Sequence, residues 1–167
     1  MKYEIVYFSK NGSTKKLAQS LAKYFPAGQC RLVDIAAEEP DQDADVYLVG
    51  FGVQRGACPY LVLDWLENLK GKKVLLFATG GLAAFPEYHK KLETLVTSFL
   101  PDECEYLGFH LCQGRISQEG YAYLESCLSD PNDSSSAQTL KQLYAHSQNH
   151  PDASDIEKTW VFVRDHL

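Results

Sequence analysis

Nowhere in the 167 residues do lysines and arginines cluster, and 16 basic against 22 acidic side chains leave a formal net charge of −6. Nucleic acid is held by counter-charge, so this balance excludes a nucleic-acid-binding role. It suits plain solubility and equally suits docking to a basic patch on a protein partner. No apolar run approaches the about 20 residues that cross a bilayer. No basic leader precedes the first apolar segment, so neither a membrane span nor a secretory peptide is expected. The five cysteines, Cys30, Cys58, Cys104, Cys112 and Cys127, are odd in number and contain no CxxC pair. They read as free thiols in a reducing cytoplasm and give no footing to a zinc or redox-disulfide function. Two nucleotide fingerprints are also missing: neither GxxxxGK(S/T) nor GxGxxG occurs where a phosphate would be held. No acidic pair closes the first apolar segment to hold Mg²⁺, which argues against a response-regulator-like domain.

What is present is a regular alternation. Residues 2–8 read as a buried strand, and residues 13–25 place Leu17, Leu21, Tyr24 and Phe25 at helical spacing before Pro26, Ala27 and Gly28. CRLVDI (30–35), VYLVGF (46–51), KKVLLFAT (72–79) and CEYLGFHL (104–111) are further strands. Helical segments lie between them: YLVLDWLENLK after Pro59, and a segment with Tyr88, Leu92, Leu95, Val96 and Phe99 on one side. Strands alternating with helices imply βαβ units, a parallel sheet with helices on both faces, and, with right-handed crossovers, a doubly wound α/β fold. About five units are too few for a barrel of eight.

The closing third is less regular. ISQEGYAYLESCL suggests a short helix, SDPNDSSSA an exposed loop, and TLKQLYAHS another helix. The last helix reads as capped by Ser154 with Glu157 and striped by Ile156, Trp160, Val163 and Leu167. The expected organisation is one domain over residues 1–167, with an excursion at about 114–153.

Loops after successive parallel strands emerge at one carboxyl edge, where open α/β sheets bind ligands. Three such loops, 9–14, 52–58 and 79–86, are rich in glycine or small residues. In the first, Ser9, Lys10, Asn11, Gly12, Ser13 and Thr14 combine short polar side chains with backbone N–H groups at a helix start, an arrangement suited to a phosphate. An ordinary strand-to-helix turn capped by Ser or Thr accounts for the same residues. In the second, Gly52, Val53, Gln54 and Gly56 would set peptide groups and one apolar contact beside a flat ring; a tight surface turn reads as well. In the third, Thr79, Gly80, Gly81 and Leu82 lead to Phe85 and Tyr88, aromatics that either stack on a ring or belong to the core. His89, His110 and Cys112 read as packing residues, and His146, His150 and Asp152 as an exposed loop rather than a metal set.

The segments IVYFSKNGSTKKLAQSLA, VYLVGFGVQRGACP and KKVLLFATGG together resemble the flavodoxin family. Its phosphate loop is commonly S/T-x-T-G-N/S-T; Ser9, Gly12, Ser13 and Thr14 match, and Asn11 stands where threonine is usual. The resemblance covers residues 2–112 and resumes at 156–167. It implies strand order 2-1-3-4-5 and non-covalent FMN, with the phosphate on 9–14 and the flavin ring between 52–58 and 79–86. A peptide carbonyl near Gly56 would partner flavin N5 on reduction. Two departures stand out: there is no tryptophan in the second loop and no acidic run in the third. FHLCQGRI and HPDASDIEKTWVF are similar to a flavodoxin-like subgroup of anaerobic bacteria, some of whose members accompany reductases, including those acting on bile pigments.

The resemblance implies an electron carrier between a reductase and an acceptor protein, the flavin supplying the redox chemistry. The acidic composition predicts a surround that disfavours added negative charge on the flavin and lowers its last reduction potential. An FMN-dependent NAD(P)H:quinone or flavin reductase is the enzymatic alternative, and a flavodoxin-like interaction domain with no redox role is the third.

Overall fold

The computed structural model describes residues 1–128 and 130–167. Five strands, β1 (Tyr3–Phe8), β2 (Cys30–Asp34), β3 (Val46–Gly52), β4 (Lys73–Gly80) and β5 (Glu105–Gln113), form one sheet in the order β2-β1-β3-β4-β5. Every pairing is parallel, as strand–helix alternation requires. The central strands β1, β3 and β4 are apolar and buried along almost their whole length, because helices cover both of their faces.

The helices are α1 (Ser13–Ala22), α2 (Tyr60–Leu66), α3 (Pro86–Thr97), α4 (Gln118–Leu128), α5 (Ser134–Ser147) and α6 (Ala153–His166). Side chains alternate across each strand, so the sheet supports two cores. Tyr47, Val49, Phe51, Val74 and Leu76 pack with Val62 and Leu66 of α2 and Leu92 and Val96 of α3. Ile5, Tyr7, Leu48, Leu75 and Phe77 pack with Leu17 and Leu21 of α1 and Val163 of α6. Trp65 leans edge-on against Tyr47 at a centroid distance of 5.5 Å, as part of the first core.

The boundaries differ from the sequence expectation in several places, among them the end of α2, at Leu66 and not Lys70. Helix α1 stops at Ala22, and Tyr24 beyond it is exposed and stacks on Trp160 at 4.6 Å instead of joining the buried face. Strand β5 runs two residues past Leu111, to Gln113, because it pairs with β4 as far as Gly80. Helix α5 begins at Ser134, so SSSA is helical and not loop; the Asp133 carboxylate accepts from Ser135 N–H at 2.9 Å and caps it. The capping box of α6 lies two residues earlier than expected: Asp152 Oδ1 accepts from Asp155 N–H at 3.0 Å and Asp155 Oδ2 from Asp152 N–H at 2.8 Å. Ser154 and Glu157 have no part in it, and Leu167 at the end of the predicted stripe is exposed.

One buried charge sits in the sheet. Glu4 is 1% exposed, with Oε1 accepting from Arg31 Nη1 at 3.2 Å and Asp41 N–H at 3.0 Å and with Oε2 unpartnered. Burial raises its pKa above the ordinary carboxylate value, against the opposing pull of Asp41 N–H and Arg31. A group whose folded-state pKa is raised stabilises the fold below its unfolded pKa, about 4.3 for glutamate, and loses that contribution as pH rises through the folded value. Glu4→Gln keeps an acceptor for Arg31 and Asp41 and has no charge to bury. Its advantage over the parent chain is therefore expected to grow as pH rises from about 4 towards 7, as read from urea midpoints across that range.

Candidate functional site

At the end of β1 the chain must turn into α1 within four residues, and Gly12 makes this possible by adopting φ +89°, a region costly for residues with a Cβ. Gly12 N–H donates to Ser9 Oγ at 3.1 Å, which closes the loop on itself. No side chain caps α1, so the N–H groups of its first turn remain for an anion. Thr14 is buried, and its hydroxyl and that of Thr79 share a hydrogen bond at 2.8 Å that ties the first loop to the third. Gly52 makes room for this pair: a Cβ there would lie 3.3 Å from Thr14 Oγ1.

Thr14→Val alone would leave the buried Thr79 hydroxyl without its partner, at about 1–3 kcal/mol. The double substitution Thr14→Val/Thr79→Val removes donor and acceptor together and is expected to cost less than either single change. A thermal-unfolding double-mutant cycle reads this coupling.

The second loop is a tight reversal. Gln54 and Ala57 exchange N–H···O bonds at 2.9 Å, with positive φ at both central residues, Arg55 at 49° and Gly56 at 76°. That is the signature of a type I′ turn, in which Arg55 carries the strain of a left-handed side-chain-bearing residue. Val53 N–H donates to Thr79 O at 2.8 Å and seats this loop against β4. In the third loop a Cβ on Gly81 would meet Ile116 Cγ1 at 2.4 Å, so glycine is what lets the chain after β5 close over it. Gln113 Nε2 donates to Gly81 O at 3.1 Å and fixes that approach.

The three loops enclose a cleft of about 530 Å³. Its walls include Ser9, Lys10, Asn11, Ser13 and Thr14 from the first loop, Gly52, Val53, Gln54 and Gly56 from the second, and Thr79, Gly80, Gly81 and Leu82 from the third. Gly12 shapes the turn and is not a wall residue. Tyr88 supplies the aromatic of the third loop, its phenol pushed up to about 12 by burial, whereas Phe85 points away and is exposed.

Residues 114–128 close the cleft, a role the sequence did not disclose. Arg115, Ile116, Ser117 and Gly120, followed by Tyr123, Leu124, Cys127 and Leu128 of α4, line the side opposite the loops. Arg115 N–H donates to Ser13 Oγ at 3.1 Å, and Glu119 receives Lys10 Nζ at 2.9 Å, with Arg55 at 3.9 Å. The hydrogen bond from Lys10, with its charge, holds the Glu119 carboxyl below its usual pKa. The available signal was the apolar spacing of Tyr121, Leu124 and Leu128 in a segment with no strand left to cover.

The local charge is opposite to the net charge. Lys10, Arg55, Lys91 and Arg115 line the cleft; Glu119 beside it pairs with Lys10 at 2.9 Å and lies 3.9 Å from Arg55, while Lys91 and Arg115 have no carboxylate partner among the described residues. Against the acidic surround expected from composition, cations outnumber the one neighbouring carboxylate, and the surplus favours an anion in the cleft.

A family model described as a flavodoxin domain matches residues 4–164. The chain belongs to the flavodoxin domain family. Among its flavodoxin-like relatives is the flavodoxin-like domain-containing protein BilS of Clostridioides difficile, 29% identical over 98% of this chain and 95% of its own length. Two solved structures share the fold. The Megasphaera elsdenii flavodoxin in its two-electron reduced form has a TM-score of 0.51 at 19% identity, covering 86% of this chain and 98% of its own. A flavoprotein of Lactobacillus acidophilus in complex with FMN has a TM-score of 0.50 at 19% identity, covering 66% of this chain and 92% of its own. The flavodoxin order 2-1-3-4-5 expected from the resemblance is the order observed. No helix among the described residues is long and apolar enough to cross a membrane.

Proposed function

We propose that the chain binds FMN non-covalently in this cleft and carries electrons between a reductase and an acceptor protein. The observation that carries the reading is a cofactor-sized cleft whose three glycine-containing loops and four cations converge beside the uncapped start of α1. The residues fit the group. Residues 9–14, with the first-turn N–H groups of α1, would hold the phosphate, and Arg115 would add counter-charge, Lys10 being shared with Glu119. Gly52, Val53, Gln54 and Gly56 on one side and Thr79, Gly80, Gly81 and Leu82 on the other would hold the ring, with Tyr88 behind. Bound FMN supplies one- and two-electron transfer, so the chain needs no acid, base or nucleophile of its own. The protein's part is to exclude water, orient the ring and set the field around it. With Glu119 offsetting part of this charge, the surplus of cations at the cleft still favours added negative charge on a ligand, which reverses the potential shift expected from composition alone.

One observation favours the enzymatic alternative. An apolar groove of about 870 Å³ between α3 and α5 shares Leu82, Tyr88, Lys91 and Leu128 with the cleft and offers room for a second ligand beside it. The two readings separate in one experiment. FMN-loaded protein is reduced anaerobically and mixed with a one-electron acceptor protein; separately, steady-state NAD(P)H oxidation is followed with the protein alone and with quinones. The carrier reading expects rapid transfer to the acceptor protein and no NAD(P)H turnover. Turnover with NAD(P)H by the isolated protein would replace it with the reductase reading. Absence of FMN binding would leave an interaction domain.

A further inference from the structure

Residues 114–119, which follow β5, touch all three loops of the cleft. Gly114 N–H donates to Gly80 O at 3.0 Å and Arg115 N–H to Ser13 Oγ at 3.1 Å. Glu119 Oε2 accepts from Lys10 Nζ at 2.9 Å, and its Oε1 lies 3.9 Å from Arg55 Nη2. We propose that residues 115–119 are a strap that ends the cleft at the seat of the 5′-phosphate. Glu119, by holding the strap shut, makes the site select flavin mononucleotide over flavin dinucleotide. This rests on the FMN binding proposed above.

The base of the strap is fixed by buried contacts. Ile116 is buried over Gly81; its N–H donates to Ser147 Oγ at 3.0 Å and its carbonyl accepts from Gln148 Nε2 at 3.1 Å, so the end of α5 holds the chain from behind. Beyond Ile116 the hold changes in kind. Ser117 Oγ accepts from Gly120 N–H at 3.0 Å, a contact within the segment itself, and no residue of α4 is buried. What draws the tip onto the first two loops is the Glu119 carboxylate, each oxygen turned to a different cation. Arg55 in turn lies over the ring of Tyr123, one turn along α4, at 5.9 Å from its centroid.

Both contacts of the strap with the first loop, at Ser13 and at Lys10, flank the seat of the phosphate. A mononucleotide ends there and fits beneath a closed strap. A dinucleotide continues from the same phosphate into a second phosphate and an adenosine, which must leave the cleft past Arg115 and Glu119 and require the tip to lift. Electrostatics alone does not separate the two ligands. Each carries about two negative charges near neutral pH, so repulsion from Glu119 and attraction to the cations largely cancel in the comparison. The ratio of the two affinities therefore reads the strap.

The test is calorimetric titration of the full apo-chain, Glu119→Gln and Glu119→Lys with FMN and with FAD. The parent is expected to prefer FMN by about tenfold or more. Exposed ion pairs contribute little each, so Glu119→Gln should lower the FMN-to-FAD ratio by about threefold. Glu119→Lys turns attraction into repulsion against both cations and sets a positive charge in the first turn of α4, so the ratio should fall by about tenfold. Glu119 is exposed, which keeps both variants folded. Added salt should lower the parent's ratio in the same direction, by screening the same pairs. A ratio equal in all three proteins, or a parent that binds FMN and FAD alike, would overturn the strap and leave FMN binding in place. A parent that binds neither flavin would remove the reading beneath it, and the strap with it.

Discussion

Ser13→Glu should abolish high-affinity FMN binding while leaving the fold intact. Ser13 is the first residue of α1 and a wall residue of the cleft. A carboxylate at a helix start is favourable in itself, by about 0.3–1 kcal/mol, so the variant is expected to unfold no earlier than the parent. The same charge would occupy the place proposed for the phosphate. At about 4 Å and an effective dielectric near 20, two unit charges interact by about 4 kcal/mol. The expected loss is therefore roughly a thousandfold in FMN affinity at low salt, shrinking as salt is added. Ser13→Ala, which only removes the acceptor of Arg115 N–H, should weaken binding by about tenfold or less. Riboflavin binding should respond little to either change. Fluorescence titration of apo-protein with both flavins reads all of these, and equal losses for FMN and riboflavin would place the phosphate elsewhere.

Gly50→Ala should damage the fold more than any other single methyl addition at a glycine on the sheet. Gly50 lies in the middle of β3, paired with Tyr7 on one side and Phe77 on the other. A Cβ there would lie 2.2 Å from Phe77 Cζ, so the ring must leave its site. Phe77 is fully buried among Ile5, Leu48, Leu75 and Val163 and has nowhere to go without displacing them. Overpacking of this kind costs about 3 kcal/mol, which in a chain of this length lowers the melting temperature by roughly 10 °C. Gly50→Ala/Phe77→Leu removes the clashing ring atoms and should recover part of the loss. Thermal unfolding of the three proteins measures it, and an unaltered midpoint in Gly50→Ala would mean that the ring does not rest on the glycine.

The sheet was legible because its strands are apolar on both faces, a pattern that only helices on both sides of a parallel sheet satisfy. The loops were legible because Gly12 and the small polar residues around it mark a strand end where backbone must be exposed. What escaped depends on residues far apart in the chain. Lys10, Arg55, Lys91 and Arg115 are scattered singly through the sequence, and only the fold brings them to one cleft. Composition therefore gave the sign of the whole molecule and the wrong sign for the site. Helix α4 was readable as a helix but not as a wall. None of its residues is fully buried, and charged contacts from Glu119 to Lys10 and Arg55 help hold it across the cleft. The capping box of α6 was misplaced by two residues because aspartate serves as well as serine and glutamate in both of its positions, and the run Asp152–Glu157 offers two registers. In the serines after Asp133 the local preference for turns gave way to a cap that starts a helix.

The most direct measurement is titration of the apo-protein with FMN, riboflavin and FAD under identical conditions. The account predicts one FMN per chain, bound at least a hundredfold more tightly than riboflavin, the difference resting on residues 9–14 and the cations beside them. No saturable binding of FMN would contradict the account outright, and riboflavin binding as tightly as FMN would contradict the role given to the first loop.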